Sequence, residues 1–200
     1  MATIDISQIK ALREKTEAGM SDCKKALVAC EGDLDQAIKW LRERGQAIAG
    51  KKSTRSIKEG LVQAYIHPPG KLGVLLELGC ETDFVARNPD FIQLAHDICM
   101  QIAAASPRFI SREDVSEEAL AEEREIFRTR ALKEGKPEQI VDKIVEGRMG
   151  KYYEEACLLE QPFVKDGDRK INDLVTETIA RFGENITVNR FKRFLVGENS

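Results

Sequence analysis

One short segment of the sequence combines groups that could act on another molecule. Residues 81–88 read ETDFVARN, so the carboxylates of Glu81 and Asp83 flank the aromatic side chain of Phe84. Two carboxylates could serve as general acid and base in a hydrolase, together with His67. An aromatic ring beside a carboxylate could instead enter a pocket of a partner protein.

The same segment also has a purely structural interpretation. Phe84 and Val85 could fill a gap between a strand and a helix, while Asp83 stabilises the positive end of a helix dipole. The segment has room for a single helical turn, and Thr82 is the residue that could cap it. The residues alone leave both interpretations open.

The rest of the sequence argues against an enzyme. No GxxxxGK[ST], GxGxxG or HExxH motif occurs. His67 and His96 are the only histidines, and they fall on different predicted elements. A hydrolase built on Glu81, Asp83 and His67 shows no third group to orient its base, so this function ranks last. We expect no catalytic residue, no bound metal and no cofactor.

Composition predicts a folded protein of the cytoplasm. The 200 residues are 42% hydrophobic and 32% charged, a balance typical of globular proteins. The first ten residues, MATIDISQIK, contain no apolar run like that of a signal peptide, and no run of about 18 apolar residues follows. Five widely spaced cysteines without a CxxC pair fit reduced thiols better than a disulfide framework. We therefore expect neither export nor contact with a membrane.

A basic segment leaves a second kind of partner open. The 31 Lys and Arg and 34 Asp and Glu give a net charge of -3, which disfavours binding to a phosphate backbone. Residues 46–58 nevertheless contain no acidic side chain, and we interpret them as a solvated basic linker. The alternative is a nucleic-acid-binding adaptor. It would use the cations Lys51, Lys52, Arg55, Lys58, Arg108 and Arg190.

Three short helices separated by glycines are predicted before this linker. Each has an apolar stripe at helical spacing, and the three stripes can bury one another. Residues 1–45 are therefore predicted to form a compact three-helix module. The residues predicted to cap the starts of the three helices are Ser7, Ser21 and Asp33. The residues predicted to end them are Ala18-Gly19, Gly32 and Gly45.

After the linker the hydrophobic period changes from 3.6 to 2, which predicts a β-hairpin. The turn between its strands reads HPPGK, at residues 67–71. The apolar residues that share a strand face are Val62, Ala64 and Ile66 in the first strand, and Val74, Leu76 and Leu78 in the second.

Helical spacing predicts four helices after the hairpin, and a strand at 186–196 ends the pattern. The helices are expected at 88–105, at 116–134, from Pro137 onward, and at 171–181. The third of them is expected to be interrupted at 147–150 and followed by a short turn around Tyr152. A hairpin and helices without a βαβ repeat are typical of the α+β class. We predict that residues 59–200 form a core domain of helices packed on an antiparallel β-sheet.

Two motifs, in order along the chain, make this sequence similar to a known family. Residues 12–27 read LREKTEAGMSDCKKAL and residues 81–88 read ETDFVARN, while the later RFKRFLVGE at 190–198 agrees as well. The chain resembles bacterial elongation factor Ts, the guanine nucleotide exchange factor for the translational GTPase elongation factor Tu. The resemblance implies an N-terminal three-helix module of the ubiquitin-associated type, followed by helices on an antiparallel sheet.

The resemblance also implies which residues meet the partner. At the matching positions, one segment disturbs the magnesium site of elongation factor Tu, with Phe84 as the inserted wedge and Asp83 as its charged neighbour. This segment consists of Thr82, Asp83, Phe84 and Val85. A second surface, in the N-terminal module, rests on the GTPase domain. It consists of Leu12, Arg13 and Met20.

The length of the chain adds a further implication. It has no room for the second core copy, the coiled-coil hairpin and the C-terminal helical module of longer members of the family. It therefore resembles the short form, in which two chains associate through their sheets, and a homodimer is implied. The exposed edge of a lone antiparallel sheet gives a physical reason for such pairing.

Overall fold

The computed structural model describes residues 4–16 and 18–198, and these residues form a mixed α+β fold. The helices are α1 (Ile6–Thr16), α2 (Met20–Ala29), α3 (Leu34–Lys52), α4 (Asp83–Ala86), α5 (Pro89–Ala105), α6 (Glu117–Lys133), α7 (Glu138–Ala156) and α8 (Ile171–Phe182). The strands are β1 (Glu59–His67), β2 (Leu72–Cys80), β3 (Pro162–Phe163), β4 (Asp166–Lys170) and β5 (Thr187–Leu195). The predicted fold class is confirmed.

The chain divides into two compact units, each built from three separate stretches of sequence. The first unit consists of Met1–Val62, Glu77–Ala95 and Asp173–Asn189, and the second of Gln63–Leu76, His96–Asn172 and Arg190–Ser200. The boundaries at residues 45 and 58 stay a prediction, because a division into contact units does not test which parts fold alone.

In the first unit, α1, α2 and α3 bury one another as the apolar stripes predict. Their shared core consists of Ile9, Leu12, Cys23, Ala26, Leu27 and Ala37. Asp33 caps α3 as predicted, because its side chain accepts a hydrogen bond from the backbone N–H of Gln36 at 2.9 Å. The ubiquitin-associated type of this module stays an implication of the resemblance.

Two predicted helix caps are wrong. The helix α1 begins at Ile6, so Ser7 lies inside it, and the Ser7 hydroxyl donates to the carboxylate of Asp5 at 2.5 Å. Similarly, α2 begins at Met20 after Gly19, and Ser21 lies in its first turn. In both cases the helix begins one residue before the serine that the sequence pattern favours.

The predicted end of α3 at Gly45 is also wrong, since the helix continues to Lys52 and takes up half of the predicted linker. Gly45 is buried, and a Cβ atom placed there would lie 3.5 Å from the Cγ2 atom of Thr176 in α8. Packing against α8 therefore continues the helix past a residue that usually ends one.

In the second unit, α6 and α7 pack against each other around a separate apolar cluster. From α7 it takes side chains at a spacing of three and four residues, namely Val141, Val145, Met149, Tyr152 and Ala156. The predicted interruption at 147–150 and the turn around Tyr152 are wrong. Gly147 and Gly150 lie on the exposed side of α7, where they leave the buried stripe intact.

The strands β1, β2 and β5 form one sheet in the order β1-β2-β5, and β1 and β2 are the predicted hairpin. Val74, Leu76 and Leu78 of β2 point into the core as one face. In β1, by contrast, Val62 and Ile66 are each 64% exposed, so the predicted apolar face of this strand points outward.

A second small sheet, the antiparallel pair β3 and β4, is absent from the sequence-based prediction. Its two strands span Pro162–Phe163 and Asp166–Lys170, which is too short for a period-2 pattern to be recognised. Among the described residues, none of the helices combines the length and the apolar character needed to cross a membrane.

Candidate partner-binding site

The most exposed large apolar side chain of the described residues lies on the single-turn helix α4. Phe84 is 85% exposed, whereas its neighbour Val85 is 7% exposed and packs inward. The structural interpretation of this segment is therefore correct for Val85 and wrong for Phe84. The ring of Phe84 fills no gap in its own chain and is accessible to another molecule.

The carboxylate of Asp83 lies beside Phe84 and is paired within the same turn. Arg87 Nη2 lies 2.9 Å from Asp83 Oδ2, and the side chain of Arg87 is exposed whereas that of Asp83 is about half exposed. An ion pair at a spacing of four residues on a helix surface contributes only about 0.3–0.5 kcal/mol to stability. The pair therefore orients Asp83 but can open readily when a competing cation approaches.

Thr82 precedes this turn at the N-cap position, but its side chain does not cap α4. The Thr82 hydroxyl instead donates to Glu184 Oε1 at 2.7 Å. Glu184 Oε2 accepts from the backbone N–H groups of Glu81 at 3.1 Å and of Thr82 at 3.0 Å. One carboxylate from the loop after α8 thus holds the two residues that lead into α4.

The return contact comes from Glu81. Its Oε1 atom accepts a hydrogen bond from the backbone N–H of Asn185 at 2.7 Å, and its Oε2 atom lies 3.5 Å from Arg55 Nη1. The side chain of Asn185 is buried and donates to the carbonyls of Ser53 at 3.3 Å and Arg55 at 3.0 Å. We call Glu81, Thr82, Glu184 and Asn185 the corner brace.

The thiol of Cys80 lies beneath this corner. It is fully buried and donates to the carbonyl of Thr82 at 3.1 Å. Burial, and secondarily the negative charge of Glu184, raise the pKa of the Cys80 thiol to about 11. The thiol is therefore protonated near neutral pH and reacts slowly as long as the corner stays closed.

The second predicted surface is only partly accessible. Arg13 is exposed, and Met20 at the start of α2 is 41% exposed. Leu12 is fully buried in the core of the three-helix module. Arg13 and Met20 are thus accessible to a partner, whereas Leu12 is covered by its own chain, and the predicted contact of all three with a partner stays a prediction.

The alternative functions gain little from the geometry. Of the cations that an adaptor would use, Arg55 lies beside Glu81, and Arg108 lies 4.0 Å from Glu123 and stacks on the ring of Tyr152. His67, which the hydrolase alternative would use, is engaged by its neighbour, since the hydroxyl of Tyr65 hydrogen-bonds to His67 Nδ1 at 2.8 Å.

The carboxylates that a hydrolase would use are engaged as well. Glu81 is held by Asn185, and Asp83 pairs with Arg87. Within residues 4–16 and 18–198, no three His, Cys, Asp or Glu side chains are grouped so that they could hold a metal ion.

Sequence reasoning missed Glu184 and Asn185. The signal that was available is Gly183, which follows a predicted helix and has a φ of 69°, the left-handed conformation that ends α8. That signal predicts a turn but not its contact, because Glu184 and Thr82 are 102 positions apart in the chain.

Fold and site together define an α+β protein that presents an aromatic side chain on a braced turn, an arrangement suited to contact with another protein. The family model of elongation factor TS matches residues 7–198. The chain therefore belongs to the elongation factor Ts family, and its role lies in translation elongation.

Individual relatives agree over nearly the whole chain. Elongation factor Ts of Moorella thermoacetica is 55% identical over 195 residues, which are 98% of this chain and 96% of that protein. The protein of the same name from Desulforamulus reducens is 56% identical over 198 residues, 99% of this chain and 91% of the relative. That of Oleidesulfovibrio alaskensis is 55% identical over 197 residues, 98% of this chain and 100% of the relative.

Proposed function

We propose that the chain is a guanine nucleotide exchange factor, which binds elongation factor Tu in its GDP form and promotes GDP release. The observation that carries the proposal is the 85% exposure of Phe84 on a turn held by the corner brace. Such a ring can enter the partner and displace the elements that hold its magnesium ion. Thr82, Asp83 and Val85 shape the turn around it.

The mechanism requires no bond chemistry from this chain. A factor that binds the GTPase more tightly when the nucleotide is absent must weaken nucleotide binding by the same factor, because the two equilibria are linked. Magnesium and nucleotide belong to the partner, so the chain needs neither a cofactor nor catalytic residues of its own. The cytoplasm, where translation takes place, is its proposed location.

Phe84 cannot supply the whole effect. An acceleration of GDP release by about a thousandfold lowers the barrier by roughly 4 kcal/mol. Burying one phenylalanine contributes only about 1.5–3 kcal/mol, part of which deforms the partner. The remaining binding free energy has to come from other surfaces, for which Arg13 and Met20 are the proposed contacts in the N-terminal module.

We also propose that two copies of the chain associate through the outer face of the sheet. In the second unit, the exposed apolar side chains Ile66, Leu75, Phe194 and Val196 line a shallow groove of about 380 Å³. Apolar side chains clustered in this way are typical of a protein interface. A second copy would cover them with the same surface, as two-fold pairing requires.

The exchange function is tested by the release of labelled GDP from elongation factor Tu. The wild-type chain is expected to accelerate release, and Phe84→Ala to lose most of this acceleration because the ring is the displacing group. The thermal midpoint of Phe84→Ala should stay within about 2 °C of the wild type, since an exposed side chain contributes little to stability.

A matched control is Ile126→Ala, which removes an exposed apolar side chain (49% exposed) from α6. It should release GDP like the wild type. Full activity of Phe84→Ala would contradict the wedge role, and a wild-type chain without any effect on GDP release would contradict the function itself.

A further inference from the structure

We propose that Glu184 is a positioning residue, which fixes the direction of Phe84 and thereby sets how fast the partner loses its nucleotide. The inference rests on the proposed exchange function. Glu184 does not itself need to touch elongation factor Tu, because its contacts are made to the two residues that precede α4.

The first argument is the number and direction of those contacts. The carboxylate of Glu184 accepts three hydrogen bonds, two from backbone N–H groups and one from the Thr82 hydroxyl. Each oxygen is used, and all three donors belong to Glu81 and Thr82. A carboxylate that serves only solubility at the surface would not concentrate its contacts on one short stretch of backbone.

The second argument is that the brace works in both directions. Glu184 binds the backbone of Glu81, and the carboxylate of Glu81 binds the backbone N–H of the next residue, Asn185. The side chain of Asn185 in turn donates to two carbonyls just after α3, those of Ser53 and Arg55. The corner is therefore tied to both other segments of the first unit.

The third argument is that α4 cannot hold Phe84 in place by itself. The helix has four residues, from Asp83 to Ala86, and an isolated turn of this length is unstable in water. The direction of the ring depends on the burial of Val85 and on the backbone that enters and leaves the turn. On the leaving side, the N–H of Asn88 donates to the carbonyl of Val85 at 3.0 Å, and on the entering side the contacts come from Glu184. A ring held in its binding direction avoids the entropy cost of ordering it upon contact with the partner.

The test compares three variants in GDP release at increasing concentrations of the chain. Glu184→Ala removes all three hydrogen bonds, and its maximal release rate should fall roughly tenfold. The concentration that gives half of the maximal rate should change less than about twofold, because the N-terminal contacts remain. A lower maximal rate at a nearly unchanged half-maximal concentration indicates a positioning role, whereas a loss of binding would raise the half-maximal concentration.

Glu184→Gln provides the conservative rescue. The amide oxygen can accept from both backbone N–H groups, and the amide nitrogen can donate to the Thr82 hydroxyl. All three contacts can therefore form, so the variant should keep at least half of the maximal rate. Glu134→Ala is the matched control, since it removes a carboxylate that accepts from Arg148 in the second unit, and it should behave like the wild type.

A second measurement needs no elongation factor Tu. The rate at which the Cys80 thiol is alkylated at pH 8, located by mass spectrometry, measures how readily the segment held by the corner brace opens. In Glu184→Ala the Cys80 thiol should react at least about tenfold faster than in the wild type, because its cover opens. The buried Cys99 and Cys157 should keep their wild-type rates.

Three outcomes would overturn the inference. The first is a maximal GDP release rate of Glu184→Ala within twofold of the wild type, and the second is a Glu184→Gln variant as impaired as Glu184→Ala. The third is an equal acceleration of alkylation at Cys80, Cys99 and Cys157 in Glu184→Ala, which would indicate general destabilisation. If the wild type fails to accelerate GDP release while Phe84 variants match it, the proposed function has failed instead.

Discussion

An exposed phenylalanine gains none of the free energy that burial provides, so the position of Phe84 needs an explanation other than the stability of its own chain. Val85 is the residue that packs the corner, at 7% exposure. Adjacent residues thus divide two tasks, since one attaches the turn to the core and the other is displayed. The sequence offered both side chains for either task, and only the geometry assigns them.

A similar division separates Leu12 from Met20 and leads to a prediction. Leu12 is fully buried and Met20 is 41% exposed. Leu12→Ala should lower the free energy of unfolding by about 2–5 kcal/mol because it leaves a cavity in the three-helix core. Met20→Ala should lower it by less than about 0.5 kcal/mol, yet weaken binding to elongation factor Tu. Urea unfolding and a titration with the partner measure the two effects.

The opposite pattern would contradict this assignment. If Leu12→Ala unfolds like the wild type but binds elongation factor Tu poorly, Leu12 acts at the surface as the resemblance implies. Arg13→Ala is a useful companion variant, since Arg13 is exposed on the same helix and its loss removes a charge without opening a cavity.

Glu160 carries a pH-dependent contribution to the stability of the second unit. Its carboxylate accepts from Arg112 Nε at 2.7 Å and Nη2 at 2.9 Å, and from Lys170 Nζ at 3.1 Å. The hydrogen bonds from Arg112 lower the pKa of Glu160, and the one from Lys170 acts in the same direction. Such a group stabilises the fold above the pKa of the unfolded chain and loses this effect as the pH falls through the folded-state pKa.

Glu160→Gln should therefore cost about 1 kcal/mol of unfolding free energy at pH 7, a value kept small by solvent screening at the half-exposed Arg112. The difference from the wild type should shrink as the pH drops below about 4.5. Urea unfolding at pH 7, 5 and 3 measures it. A difference that is the same at all three values would show that the charge of Glu160 is not the cause.

At the scale of elements, the sequence predicts best where a local signal decides. Asp33 caps α3 as predicted, and the helices predicted from 116 and 88 begin with similar contacts. Ser116 accepts from the backbone N–H of Ala119, and Asn88 accepts from that of Asp90. These contacts span two or three residues, so the pattern that predicts them contains both partners. The same holds for the alternation in β2, where Val74, Leu76 and Leu78 are all buried.

The sequence predicts poorly where distant packing overrides a local signal. Gly45 lies against Thr176 of α8, and the helix that it should end continues. In α7 the buried stripe through Met149 and Tyr152 outweighs two exposed glycines. The corner brace is the extreme case, because its partners are about a hundred positions apart and no periodicity connects them. Residues 81–88 could be singled out from the sequence, but neither the exposure of Phe84 nor the contacts that hold its turn could be decided from them.

Across the whole molecule, the outer face of the sheet exposes several apolar side chains in the part of the chain that the structure describes. In β1 the alternating apolar residues were expected to form one face, and Ile66 of that face is 64% exposed. Phe194 of β5 is 63% exposed and lines the same groove. A strand pattern establishes which residues share a face, but not whether a core, a partner or water covers it.

The homodimer prediction follows from this face. At micromolar concentration, sedimentation should give the wild-type chain twice the 22.5 kDa mass of one copy, and Phe194→Glu the mass of a monomer. The substitution puts one carboxylate from each copy into a dry contact, where desolvation and mutual repulsion oppose association. Ile126→Glu, at a 49% exposed position of α6, should leave the dimer intact. A monomeric wild type, or a Phe194→Glu dimer of unchanged affinity, would place the subunit contact elsewhere or remove it, and Phe194 would then be exposed for a different partner.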